Sequence, residues 1–411
     1  MADIRPFSAI RPSRELASRI AALPYDVYNR EEALKEVERE PLSFLRIDRA
    51  ETNFPSDVDT YDNRVYDKAR ELLWKMVEEG RFVQDEGRFY YIYELIMNGR
   101  SQTGIVACSS VDDYMRGIIK KHENTRADKE VDRINHVDRT GAQTGPIFLA
   151  YKSNDTINSI VSGRMKDEPL YDFTSDDGIT HRVWIIEDQE ECKSIKQAFA
   201  GMSNIYIADG HHRCASAVKV SLKRREAMAD YTGDEEFNFF LSVLFPDDQL
   251  MIMDYNRVVR DLNGHSDEEF LKLMQEKYKL LETSDEQIRP DKKGRVSVYL
   301  SGKWYLFEAD ASICSTDPVK GLDVSVLQDQ ILGPILGIGD PKTDKRIDFV
   351  GGIRGLEELK RRADSDCRIA FAMYPTQIEE LFEVADAGKL MPPKSTWFEP
   401  KLRSGLFIHK I

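Results

Sequence analysis

Two periods of hydrophobic and polar positions alternate along the chain, and each change of period marks an element. A period near 3.6 in "YDKARELLWKMVEEGRF" predicts an amphipathic helix ending at Gly80. Alternating "RFYYIYELIMNGR" and "SQTGIVACSSV" predict a hairpin turning on Asn98-Gly99. "SRELASRIAAL" reads as a helix broken by "PYDVYN", and "YMRGIIKKHENT" as a strand running into polar residues. "PIFLAYK" and "HRVWIIED" read as strands, and "SIKQAFAGM" as a helix leading into the strand "NIYIA". "CASAVKVSLKRREAMAD" predicts a helix, and "NFFLSVLFPDDQLMIMDYNRVV" two strands around a Pro-Asp-Asp turn. Beyond Asp261 the pattern gives a helix in "SDEEFLKLMQEKYKLL", a hairpin in "RVSVYLSGKWYLFEA", a helix in "VSVLQDQILGPIL", a strand in "CRIAFAMYP" and an extended proline-rich tail. The whole is α+β, with strands mostly in hairpins and helices interspersed. The chain is read as three regions, 1–115, 116–260 and 261–411, with a change of texture from Asp261 onward.

Composition narrows the class. At 411 residues the chain is long enough for two or three domains. A formal charge of −14 argues against nucleic acid or an anionic membrane as partner, while leaving room for a local basic pocket. No apolar run approaches the roughly 20 residues of a membrane span, and the N-terminal residues carry no apolar signal core. Cys108, Cys192, Cys214, Cys314 and Cys367 are scattered without a C-x-x-C pair, which suits reduced thiols in a cytoplasmic protein. Neither a strand–GxGxxG–helix nor a GxxxxGK[ST] motif is present.

Chemistry concentrates in "YIADGHHRCASAVKV", Tyr206 to Val220, where an apolar run breaks and a helix begins. A helix N-terminus offers unpaired N–H groups and partial positive charge to a phosphate. Gly210 allows close backbone approach, and His211, His212 and Arg213 add donors, Arg213 with bidentate geometry. Asp209 suits a Mg²⁺ riding with the phosphate. The alternative is that Asp209 caps the helix and the histidines are a solvated first turn. Zinc is the poorer reading, because adjacent histidines rarely face one metal and no spaced partner follows.

"KHENTRADKEVDRINHVDRTGAQTGPIFLAY" packs His122, Glu123, Arg126, Arg133 and His136 between two strands, as a functional loop-helix or a solvated face. Glu123 follows a basic run leaving a strand, a place suited to a general base. Asp26 lies in a proline-fixed turn able to clamp a small carboxylate or amine, or caps "NREEALKEV". Asn256 and Arg257 end a strand. Lys394, Lys401 and Arg403 sit on the tail, as further substrate or donor contacts or as part of an edge strand.

"IRPFSAIRP", "PYDVYN", "HENT", "GPIFLAY", "YIADGHHR", "YNRVV" and "PPKSTWFEPKLRSG" together resemble the bacterial family catalogued as domain of unknown function ten-fifteen. "DGHHR" further resembles the helix-start motif of the ParB/sulfiredoxin-like fold, and within it the phosphate-binding motif of the free-serine kinases. This resemblance implies a ParB-like core with additional N- and C-terminal α+β elements. It also implies phosphorylation of free L-serine, or a similar small hydroxyl substrate, with Mg²⁺ on Asp209. Gly210, His211, His212 and Arg213 would hold the donor phosphates, of pyrophosphate or an adenine nucleotide, and Glu123 would be the base. The rivals are a non-catalytic nucleotide-binding regulator of the ParB kind and a phosphohydrolase using the same site.

Overall fold

The structure, a computed structural model, describes residues 1–125 and 127–411. They form two compact units, Met1–Leu250 with Pro400–Ile411, and Met251–Glu399. The α+β class holds in both.

The first unit is built on a nine-stranded mixed sheet. Its centre is the expected hairpin, Tyr90–Met97 against Arg100–Ser110. Asn98 and Gly99 have φ of 52° and 79°, the left-handed pair of a turn whose twist matches the strands. Two neighbouring pairs are parallel rather than hairpins: Phe239–Pro246 with Ile147–Tyr151, and Ile205–Asp209 with Ile119–Lys120. Several helices and strands lie between each strand and its parallel partner, so neither pair is joined by a tight turn. The expected boundary at 115/116 falls inside this sheet, because Arg100–Ser110 pairs with Phe239–Pro246.

One core lies where Ile205 and Ile207 meet Leu149, Phe199 and Val218. A second gathers Val65, Ala69 and Leu73 from the amphipathic helix Asn63–Glu78 against Phe44, Phe82 and Ile408. Each of the larger of these side chains, taken from water, contributes about 1.5–3 kcal/mol.

The charged connection forms a loop and a helix, with one face of the helix exposed. It holds the helix Ala127–Thr140, with Glu130, Arg133 and His136 buried. The expected strand "YMRGIIKK" divides into a short helix, Val111–Met115, capped by Ser110, and the strand Ile119–Lys120. "SRELASRIAAL" contracts to the four-residue helix Ala17–Ile20.

The second unit carries a six-stranded sheet and its own core around Val258, Tyr299 and Trp304. Phe239–Pro246 and Tyr255–Val259, expected to flank one turn, belong to different sheets. The helix expected through "KYKLL" stops at Gln275, and Tyr278–Ser284 becomes a strand beside Lys303–Ala309.

Candidate functional site

The strand Ile205–Asp209 and the helix His211–Ala227 meet at Gly210. The register against Phe148–Ala150 slips between Ile207 and Asp209, a bulge that re-aims the chain at the mouth of the helix. Gly210 then takes φ 91°, ψ 30°, a conformation that disfavours other residues. Gly210 has no side chain to cap this helix, and a helix N-terminus of this kind is suited to an anion. Small buried residues on the helix, Cys214, Ala215, Ser216 and Ala217, allow close packing. The Ser216 hydroxyl donates to the carbonyl of His212 (2.8 Å) and reaches that of Glu130 on the neighbouring helix (3.2 Å).

Asp209 is not the helix cap. Its Oδ1 accepts the Gly210 N–H at 2.7 Å and its Oδ2 accepts Lys401 Nζ at 2.9 Å. Burial opposes its ionisation, but the charges of Lys401 and Arg213 outweigh that and hold the carboxyl well below the usual range. A cation already faces this carboxylate, so the position fits a positive partner. Arg213 donates from Nη1 to the Pro146 carbonyl at 2.6 Å, which fixes the guanidinium across the turn, and its other nitrogens lie close to Gly210.

His211 is not in a solvated first turn. It is buried, and its ring meets the equally buried ring of His122 edge-on, with centroids 4.5 Å apart. Burial, reinforced for His211 by the neighbouring ring, pushes both imidazoles down, His122 to about 4 and His211 well below its ordinary value, so both are neutral near pH 7. Glu123 joins them from the rim, its Oε2 3.9 Å from His211 Nδ1. One ligand atom from each of His122, Glu123 and His211 can be drawn so that all lie within 4.8 Å of one another. His211 thus has a spaced partner after all, upstream at His122. His212 is half-buried in the first turn.

The remaining candidates separate. Arg133 and His136 are buried and line, with Tyr25 and the exposed Asp26, a cavity of about 250 Å³. Arg133 pairs with Asp132 at 2.8 Å and lies 4.0 Å over the Tyr25 ring. His136 Nε2 lies 3.1 Å from the Ile47 carbonyl. A narrower pocket shares Tyr25, Asp48, Arg133 and His136 and reaches Arg213. Arg126 lies outside the described residues.

The tail residues divide between the two units. Lys401 stands on Asp209. Arg403 is buried, bound to Asp177, to Ser175 Oγ at 3.0 Å and to His181 Nε2 at 3.2 Å. Lys394 belongs to the second unit, where its ammonium lies 5.5 Å over the Tyr255 ring. In the same unit Asn256 is fully buried and receives the Met373 N–H at 2.8 Å. Arg257 donates to the backbone carbonyls of Tyr255 and Lys394, and burial pushes its pKa down to about 10. The sequence did not single out His181 or the Lys401–Asp209 pair, because no local pattern links partners so far apart.

A family model described as "Protein of unknown function (DUF1015)" matches residues 4–325, which bears out the resemblance carried by the dispersed motifs. No curated protein matches the chain. Among solved structures, a free serine kinase in complex with AMP is similar at 14% identity and a TM-score of 0.35, covering 74% of this chain and 91% of that one. SbnI with a C-terminal truncation, from Staphylococcus aureus, is similar at 9% identity and a TM-score of 0.38, covering 74% and 86%. These similarities are too low for the activity of either protein to transfer.

Proposed function

The chain belongs to this family of unknown function, and from the site itself we propose that it is a small-molecule kinase transferring a phosphoryl group to a hydroxyl, with free L-serine as acceptor. One observation carries the reading: a helix N-terminus with Gly210 in the left-handed region and Arg213 fixed across the turn begins at His211, whose Nδ1 lies 3.9 Å from the Glu123 carboxylate. Phosphoryl transfer asks a protein mainly for positioning and charge, together with an acceptor for the alcohol proton. The backbone N–H groups at the helix start, His212 and Arg213 hold the donor phosphates. Neutral His211 donates or accepts a hydrogen bond beside them. Glu123 takes the proton of the attacking hydroxyl. Lys401 supplies positive charge at Asp209 from the chain itself. Asp209 would hold Mg²⁺, which when bound neutralises charge on the transferring group. The choice of serine rests on the likeness of "DGHHR" to the free-serine kinase motif. A ParB-like core belongs to the same reading.

Incubating the protein with L-serine, Mg²⁺ and ATP, ADP or pyrophosphate tests it. Phosphoserine supports the kinase, free phosphate alone indicates a hydrolase, and neither indicates a binding protein. Arg213→Lys keeps the charge and loses the bidentate fork. Donor affinity by calorimetry should fall about tenfold, the loss of one charge-assisted hydrogen bond. Unchanged affinity would place the phosphates elsewhere.

A further inference from the structure

We infer that His122, Glu123 and His211 form a binding site for one divalent cation of the zinc class, distinct from a Mg²⁺ at Asp209. The inference stands on side-chain geometry and does not require the phosphotransfer reading.

Two buried nitrogens carry it. His122 Nδ1 and His211 Nε2 are shielded from solvent and have no hydrogen-bond partner among the described residues. A buried polar atom left unsatisfied costs about 1–3 kcal/mol, so a pair of them on facing rings calls for a ligand. The His122 ring also hydrogen-bonds the Ile207 backbone. With Nδ1 unpartnered, that bond falls to Nε2–H, which leaves Nδ1 as the nitrogen with the lone pair. A metal-binding histidine is commonly held in this way, one nitrogen bonded to a backbone carbonyl and the other facing the ion.

The donor set and spacing point to the ion. Two imidazoles and one carboxylate suit zinc and its first-row neighbours, whereas Mg²⁺ prefers oxygen donors throughout. Bonds of about 2.0–2.1 Å in a tetrahedral site put ligand atoms roughly 3.3 Å apart. One ligand atom from each of His122, Glu123 and His211 lies within 4.8 Å of the other two, wider than that spacing, and Glu123 Oε2 stands 3.9 Å from the Nδ1 edge of the His211 ring. Glu123 is 42% exposed, so its carboxylate can turn inward while the buried rings stay in place. Three protein ligands leave a fourth position for water or a substrate oxygen.

Co²⁺ is the probe, added to chelator-treated full-length protein and followed by its visible absorption, with Zn²⁺ as competitor. The expected result is one Co²⁺ per chain with the intense bands of a four-coordinate site, displaced by one equivalent of Zn²⁺. Glu123→Gln sits at the rim and leaves the buried rings untouched, and it should weaken Co²⁺ binding at least tenfold. His122→Gln should do the same, with circular dichroism confirming that it folds. Three outcomes overturn the site: no saturable binding up to about 100 μM, a near-ultraviolet thiolate band showing that a cysteine holds the ion, or unchanged affinity in folded Glu123→Gln. Failure of the kinase assay leaves this measurement intact, and the reverse also holds.

Discussion

Glu123 stands at the rim of a pair of neutral, buried imidazoles, and two roles compete for its carboxylate. As a base it must be free to accept a proton, and as a metal ligand it is not. Glu123→Gln keeps shape and hydrogen bonding while removing the acceptor, so kcat should fall about 10²- to 10⁴-fold with donor affinity nearly intact. Turnover near wild type would remove Glu123 from the chemistry. If both roles hold, Zn²⁺ should inhibit Mg²⁺-supported turnover at the occupancy seen with Co²⁺, and His122→Gln should relieve that inhibition. Inhibition of equal strength in the variant would place the inhibitory ion elsewhere. At this scale the sequence was informative where chemistry is local. The run from Asp209 to Arg213 showed a turn, a helix start and a set of donors. It could not show that His211 meets His122, or that Lys401 pairs with Asp209, since those contacts join residues far apart in the chain that only the tertiary fold brings together.

The elements that place these residues follow a similar rule. Asn98-Gly99 and the helix ending at Gly80 were legible because each is decided within a few residues by turn chemistry and periodicity. Tyr278–Ser284 was not, because its helical propensity is overridden by pairing with Lys303–Ala309. A separate electrostatic consequence arises in the second unit at Asp323, whose two oxygens receive the Gly294 N–H at 3.0 and 2.9 Å. Burial pushes this carboxyl up to about 6, against the partial opposition of that hydrogen bond. The folded state therefore binds the proton more tightly than the unfolded chain does. Stability from this group is fully present below the ordinary value near 4 and is lost as pH rises through about 6, a cost of up to about 3 kcal/mol. Asp323→Asn is neutral throughout and keeps one acceptor for Gly294. Its Tm relative to wild type should rise between pH 4 and pH 7, and a difference that does not change with pH would show that the carboxyl titrates normally.

Across the whole molecule the chain order and the units disagree, which no local pattern could announce. A texture change near Asp261 was visible, and the contacts divide the chain close by, after Leu250. The return of Pro400–Ile411 to the first unit was not visible, since an extended segment with prolines carries no period that names its partner. Its anchoring is nevertheless strong. Leu406, Phe407 and Ile408 are fully buried, Ile408 exchanges backbone hydrogen bonds with Ile10 at 3.0 and 2.9 Å, and His409–Lys410 pairs with Ala142–Gln143. Three buried apolar side chains contribute about 5–9 kcal/mol together, comparable to the whole stability of an ordinary domain at about 5–15 kcal/mol. Arg403 adds the loss of a buried partner for Asp177 and His181. The second unit, by contrast, keeps every residue of its own core when the chain ends at Glu399. A chain truncated there should therefore lose the cooperative melting of the first unit and retain that of residues 251–399. Calorimetry combined with limited proteolysis can tell them apart, because the surviving protected fragment should begin near Met251. Retention of a protected 1–250 fragment with unchanged Tm would mean that the tail only covers the first unit and does not hold it together.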